Sequence, residues 1–171
     1  LQQKLALTQC RFTAEKPESL TRSSATHLVV RLKTLNLSEK DGAEIAIALG
    51  QVDLIRQKDS LAHARFEKTA KSYPQSALAQ FALGKSRLVR GMTKQALEPL
   101  SKAVALDADS AVYRKALGRT LAQLEKWSQA EEALARAAQM TKDGVTLLYL
   151  GQARLKLAKN GGAVDALKTG I

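Results

Sequence analysis

A leucine-glycine pair returns through this chain at a nearly constant distance: Leu49-Gly50, Leu83-Gly84, Leu117-Gly118 and Leu150-Gly151, with spacings of 34, 34 and 33 residues. Three further columns keep the same register. Twelve residues after each glycine stands an alanine (Ala62, Ala96, Ala130, Ala163), four further on a large apolar residue (Phe66, Leu100, Leu134, Leu167), and three beyond that a mostly small one (Thr69, Ala103, Ala137, Gly170). Units this short cannot each bury an apolar face alone. They must stack, so function is to be sought on a surface built by stacking rather than in a single central pocket.

The period accommodates two helices of roughly a dozen residues joined by a short turn, with a second turn leading to the next pair. Small residues such as Gly84 and Ala96 let two helices cross closely, while Leu83 and Leu100 fill the seam between neighbouring units. Helix starts are expected at Asp59 or Ser60, at Thr93, and at Ser128 with Glu131 as a capping box, with Asn160-Gly161-Gly162 as the last turn. Pro74 falls between units, where it breaks no helix. Trp127 is placed in the turn before a second helix, as a packing residue. Aromatics are only 4% of the chain, which suits close Ala and Leu contacts between helices better than a β-sandwich.

These columns resemble the tetratricopeptide repeat, W-x2-L-G-x2-Y followed by A-x3-F and then P on a 34-residue period. The match covers residues 43–171. It implies an all-α fold, a right-handed α-solenoid of antiparallel helix pairs, with hairpins at 43–76, 77–110, 111–143 and 144–171. The Trp slot instead holds Ala46, Gln80, Arg114 and Leu147, and the Tyr slot Asp53, Arg87, Leu121 and Arg154, so packing looser than in a consensus array is expected. Residues 1–42 read as an N-terminal helical segment, a degenerate repeat or cap with Leu28, Val29, Leu32 and Leu35 on its apolar face; a coiled lead-in over 1–16 is the alternative there. The opening LQQKLALTQC, without Met, reads as a mature or trimmed start. The last hairpin ends at Ile171 without a polar capping helix, as if the protein continued or packed on a partner or a second copy. The style of the units looks like bacterial members of the family, many of which serve pili, secretion machines or other envelope assemblies. Periplasm, envelope and cytoplasm all stay open as compartments.

What the resemblance implies for function is a protein-protein interaction scaffold or adaptor, with a concave groove formed by the first helix of each unit. Carried onto this chain, the partner-binding groove is Ile47 and Gln51 in the first unit and Leu78, Phe81 and Lys85 in the second. Lys115 and Arg119 follow in the third, and Leu148, Gln152 and Lys156 in the fourth, with Val112 and Val145 beside them. An extended or helical segment with apolar and acidic groups would suit Phe81 and Leu148 together with the cations. Apolar residues at this spacing also serve packing between units, and the cations equally serve as solvated charge. The Lys and Asn clamp with which related chaperone co-factors grip terminal carboxylates is not reproduced, because Gln51 and Lys85 occupy Asn positions.

A net charge of +11 keeps a second function class open, a basic solenoid on RNA or another acidic polymer. Its distribution argues against nucleic acid: each of the five segments is net positive by one to three charges, and no block of five like charges occurs. A third reading is self-association through the last hairpin. No apolar run reaches 18 residues, so no membrane span is expected. Catalysis, a metal site and a cofactor are not expected either. His27 and His63 lack a second ligand at metal spacing, Cys10 lacks an activating partner, and Asn160-Gly161-Gly162 lacks the lysine and strand of a phosphate loop.

Overall fold

The computed structural model describes residues 42–157 and Lys168. The expectations for the 1–42 segment, for Cys10 and His27, for the 160–162 turn and for the second helix of the last hairpin lie outside the described residues. Seven helices account for most of the described chain, with no strand among the described residues: α1 (Gly42–Ile55), α2 (Asp59–Ser72), α3 (Ala77–Val89), α4 (Thr93–Leu106), α5 (Ala111–Gln123), α6 (Trp127–Met140) and α7 (Gly144–Lys156). The chain divides into two compact units, Leu1–Ser86 and Arg87–Ile171, with the boundary inside α3.

In the first unit, α1 packs on α2, and the core is Ile47, Ala62, Phe66, Ala79 and Ala82, with Leu78 against it. The glycine column is a packing device. A Cβ on Gly50 would strike the Phe66 ring, so the helices of this hairpin approach as closely as they do because glycine is there. The large residue sixteen positions on therefore sits on the glycine of its own hairpin as well as in the seam.

The second unit repeats the arrangement. Leu121, Ala122, Ala130, Ala133, Leu134, Leu150 and Ala153 form its core, with Leu97, Leu117, Trp127 and Tyr149 packed against it. A Cβ on Gly118 would lie 2.5 Å from Leu134 Cγ. Besides its neighbours in sequence, α5 also touches α7, the contact between first helices that stacking requires. On α6 the buried residues are Ala130, Ala133, Leu134 and Ala137, and on α4 Ala96, Pro99, Leu100 and Ala103, a stripe at i, i+3, i+4 and i+7. Fully burying each leucine in that stripe contributes about 1.5–3 kcal/mol.

All three described turns from first to second helix share one geometry. Gln57, Gly91 and Glu125, again 34 residues apart, have φ of 59°, 72° and 57°. Around each, two backbone bonds close the helix end. Lys58 N donates to Asp53 O at 2.9 Å and Gln57 N to Leu54 O at 2.8 Å; Met92 N to Arg87 O and Lys126 N to Leu121 O are both 2.9 Å. This is the Schellman termination, which requires a left-handed residue just past the helix. Only one of the three is glycine.

The expected caps of the second helices are not where the side chains are. Asp59, Thr93 and Trp127 are the first residues of α2, α4 and α6, and the preceding Lys58, Met92 and Lys126 make no side-chain cap. Ser128 and Glu131 thus form no capping box. The Schellman turn delivers the chain directly into the next helix, and Trp127 lies in the first turn of α6. Side-chain caps belong to the first helices instead: Ser110 Oγ accepts from Tyr113 N, and Asp143 Oδ1 from Thr146 N at 3.0 Å.

The departures from the repeat pattern are where polar ties form. Asp53, buried in the Tyr slot, accepts from Arg65 Nε at 2.9 Å and joins α1 to α2. Arg154 joins α7 to Glu131 of α6 at 3.3 Å. In the Trp slot, Gln80 Nε2 donates to Pro74 O at 3.4 Å and Arg114 Nε to Ala108 O at 2.7 Å, each six residues back in the linker before its helix.

Two prolines explain two more of these bonds. Pro74 has no N–H for the carbonyl of Ala70, and Gln80 Nε2 donates to that carbonyl at 3.2 Å. Pro99 lies within α4 and leaves Gln95 O without its helical donor; Arg87 Nη1 fills the place at 2.8 Å. A side chain from a first helix mends each broken rung.

Candidate protein-binding surface

In the second unit, α5 and α7 present one side of the helix stack. Along α5 the row is Val112, Lys115 and Arg119; along α7 it is Val145, Leu148, Gln152 and Leu155, both at the i, i+3, i+7 spacing of a single face. Val112 and Leu148 are 54% and 55% exposed, and Val145 and Leu155 are nearly as open. Side-chain contacts register the two rows. The Arg119 guanidinium lies 5.0 Å from the centre of the Tyr149 ring, and Lys115 Nζ is 3.5 Å from Asp143 Oδ1 at the start of α7.

Asp143 is the polar hinge pin of this face. It caps α7 through Thr146 N at 3.0 Å and accepts from Thr146 Oγ1 at 2.5 Å. Burial opposes its ionisation, but the side-chain and backbone bonds from Thr146 and the charge of Lys115 outweigh it, so its carboxyl sits below its ordinary value.

Three helices carry charge of one sign only. Helices α3, α5 and α7 carry Lys85, Arg87, Arg114, Lys115, Arg119, Arg154 and Lys156 and no acidic residue, whereas α6 has Glu131 and Glu132 beside Arg136. Cations of the first helices lean on aromatic faces. Lys85 Nζ is 5.7 Å from the Phe81 ring and Lys156 Nζ 5.8 Å from Trp127. Such placement holds a charge near an apolar surface while leaving it able to meet an acid.

The residues expected in a groove are therefore divided. Lys115, Arg119, Leu148, Gln152 and Lys156 belong to the second unit, on α5 and α7. In the first unit Lys85 is exposed, Gln51 and Phe81 are half-buried, and Leu78 packs on the core. Ile47 must be withdrawn: at 1% exposure it is a core residue beside Phe66, because α1 is apolar nearly all round and buries that side too. His63 lies between helices, its Nδ1 2.9 Å from Ser86 Oγ. Sequence reasoning passed over Tyr149 and Asp143. Each had a signal: Tyr149 stands where the other units have Ala48, Ala82 and Ala116, and Asp143 precedes Thr146 at cap spacing. Among the described residues no three His, Cys, Asp or Glu side chains gather as a metal site, and no helix is long and apolar enough to cross a membrane.

Short antiparallel helix pairs in a 34-residue register, with Gly50 and Gly118 seating α1 and α5 closely on their second helices, define a helical repeat fold of the tetratricopeptide type. No protein-family profile and no curated protein sequence matches the chain. Solved structures do. MamA of AMB-1 superposes with a TM-score of 0.74 at 14% identity, over 96% of this chain and 95% of that one. MamA of MSR-1 gives 0.71 at 15% identity, over 99% of this chain and 92% of that one. MamA from residue 41 to its end, from Desulfovibrio magneticus RS-1, gives 0.70 at 20% identity, over 96% and 93%. At these identities the likeness is one of fold.

Proposed function

We propose that the protein is an adaptor that holds a segment of a protein partner on the face of α5 and α7. The partner segment places apolar side chains on Val112, Val145 and Leu148 and a carboxylate on Arg119. One observation carries this reading: four exposed apolar side chains share a face with Lys115 and Arg119, on two helices that hold no acidic residue. An apolar stripe of this kind on an otherwise polar surface is what a docking site leaves exposed. A guanidinium stacked on Tyr149 keeps its donor edge available for a carboxylate. Preformed helices supply this surface with little ordering cost on the adaptor's side.

A pull-down from source-cell lysate tests it, with residues 1–171 as bait beside the same bait carrying Arg119→Glu and Leu148→Glu, at low and moderate salt. A protein retained by the wild type at both salts and lost by the variant is the expected result. Recovery of nucleic acid alone, and only at low salt, would replace this reading with polymer binding by diffuse charge. Equal retention by both baits would move the function off this face.

A further inference from the structure

A cleft lies on the other side of α5. The cleft, of about 420 Å³, has Leu97, Ser101 and Val104 of α4 along one wall, Leu117 and Leu121 of α5 as its floor, and Ala133 on the α6 wall. On α5 the floor row and the Lys115–Arg119 row are about 160° apart at 100° per residue, so the two surfaces face opposite ways. We infer that this cleft is a docking site for one face of a helix from an acidic protein partner.

Shape argues for a helix. The α4 wall runs from Leu97 to Val104, seven residues and therefore about 10 Å or two helical turns. The cleft is a trough rather than an enclosed cavity: Leu121 on its floor and Ala133 on its α6 wall are buried, while Ser101, Lys126, Gln129 and Glu132 are exposed toward its opening. A trough between two helices accepts a third when the facing residues are small enough for axes to approach within about 8–10 Å. Ser101 on one wall and Ala133 on the other supply that room. The occupant would offer apolar residues at i, i+3 or i+4, and i+7.

Charge specifies the rest. Lys126 stands at one end of the trough and has no ion pair among the described residues, and Arg114 stands on the floor helix. The single acid of the rim, Glu132, is engaged by Arg136 Nη2 at 3.2 Å. An acidic flank on the incoming helix meets Lys126 and Arg114; a basic flank would meet them as like charges.

The test uses a panel of fluorescein-labelled stapled helices of about fifteen residues, with leucines at i, i+4 and i+7 in shifted registers and glutamates on the flanks, and a twin panel with lysines instead. Each is titrated against the whole 171-residue chain, its Ser101→Trp and Lys126→Glu variants, and Arg119→Glu with Leu148→Glu. Saturable binding of an acidic helix is expected, weakened about tenfold or more by Ser101→Trp, which fills the trough, and several-fold by Lys126→Glu. The Arg119 and Leu148 changes should leave it untouched, with amide shifts at Ser101 and Gln129. Ser101 is exposed, so circular dichroism should show an unchanged fold for its variant. Four results would overturn the inference: no saturable binding by any acidic helix up to millimolar concentration, equal binding of the lysine twins, loss of binding only in the Arg119 and Leu148 variant, or a wild-type dimer that Ser101→Trp makes monomeric. The third would leave the α5–α7 reading standing, and loss of that reading would leave this one standing.

Discussion

Gly91→Ala isolates a single physical effect. Gly91 has φ of +72°, and a Cβ built on it would meet nothing within 4 Å, so neither packing nor hydrogen bonding changes. What remains is backbone. Placing an L-residue in the left-handed region costs about 1–2 kcal/mol. Alanine also restricts the unfolded chain, returning about 0.4–1 kcal/mol. The net loss is about 1 kcal/mol. Glu125→Gly is the same change in reverse at the same turn position, where φ is 57°, and should stabilise by a similar amount. Urea unfolding followed by circular dichroism reads both. With a slope of about 1–3 kcal/mol/M, the midpoint should fall by about 0.3–1 M for Gly91→Ala and rise by as much for Glu125→Gly, at unchanged slope. Glu125→Ala is the control that removes the side chain while keeping an L-residue, and it should leave the midpoint nearly where it was. A neutral Gly91→Ala, or a Glu125→Ala that matches Glu125→Gly, would show that left-handed strain does not set the stability of these turns.

Other expectations concern the core, the mended rungs and the charged cap. Gly118→Ala, whose Cβ would lie 2.5 Å from Leu134 Cγ, should overpack the hairpin and cost about 1–3 kcal/mol in a thermal melt. Gln80→Leu strips the Ala70 carbonyl of its donor in a buried setting and should cost about 1–3 kcal/mol by denaturant unfolding. Arg87→Met should destabilise measurably with Pro99 present and much less in a Pro99→Ala background, where the backbone N–H returns; equal losses in both backgrounds would mean that Arg87 acts elsewhere. Asp143 has a lowered value in the folded state, so the unfolded chain binds its proton first as pH falls. Its contribution is complete above the ordinary carboxylate value of about 3.9 and declines as pH drops through its lowered folded value. Asp143→Ala should remove that acid-side slope and cost about 1 kcal/mol of cap at neutral pH, both visible in melts taken across the acid range.

The repeat was legible in the sequence because it rests on volume. Gly50 and Phe66, or Gly118 and Leu134, face each other, and a large residue opposite glycine at a fixed spacing shows in the letters themselves. The turn column was not legible. Its rule is a dihedral angle, and Gln57 and Glu125 meet it at a cost that composition does not display. Ser128 and Glu131 carried a capping pattern that the Schellman turn made redundant. Ile47 fell on the groove row by spacing alone, but α1 has apolar residues on most of its circumference, so periodicity could not say which side stays open. On α7 the open row at Val145, Leu148 and Gln152 was readable, since Leu147, Leu150 and Ala153 take the core positions beside it.

The two mended rungs bear on how such a chain can be cut and rejoined. Arg87 and Pro99 lie in one hairpin, so a segment spanning 77–110 would carry that compensation with it into any new array. Gln80 and Pro74 lie on opposite sides of the junction at 76–77, and the same excision parts them, leaving Ala70 unanswered in the donor and Gln80 without its acceptor in the recipient. Shuffling by whole periods is therefore not neutral at this seam. A graft that begins at Pro74 instead keeps Gln80 with the Pro74 carbonyl, but a complete transfer must reach back to Ala70, into the helix of the previous repeat.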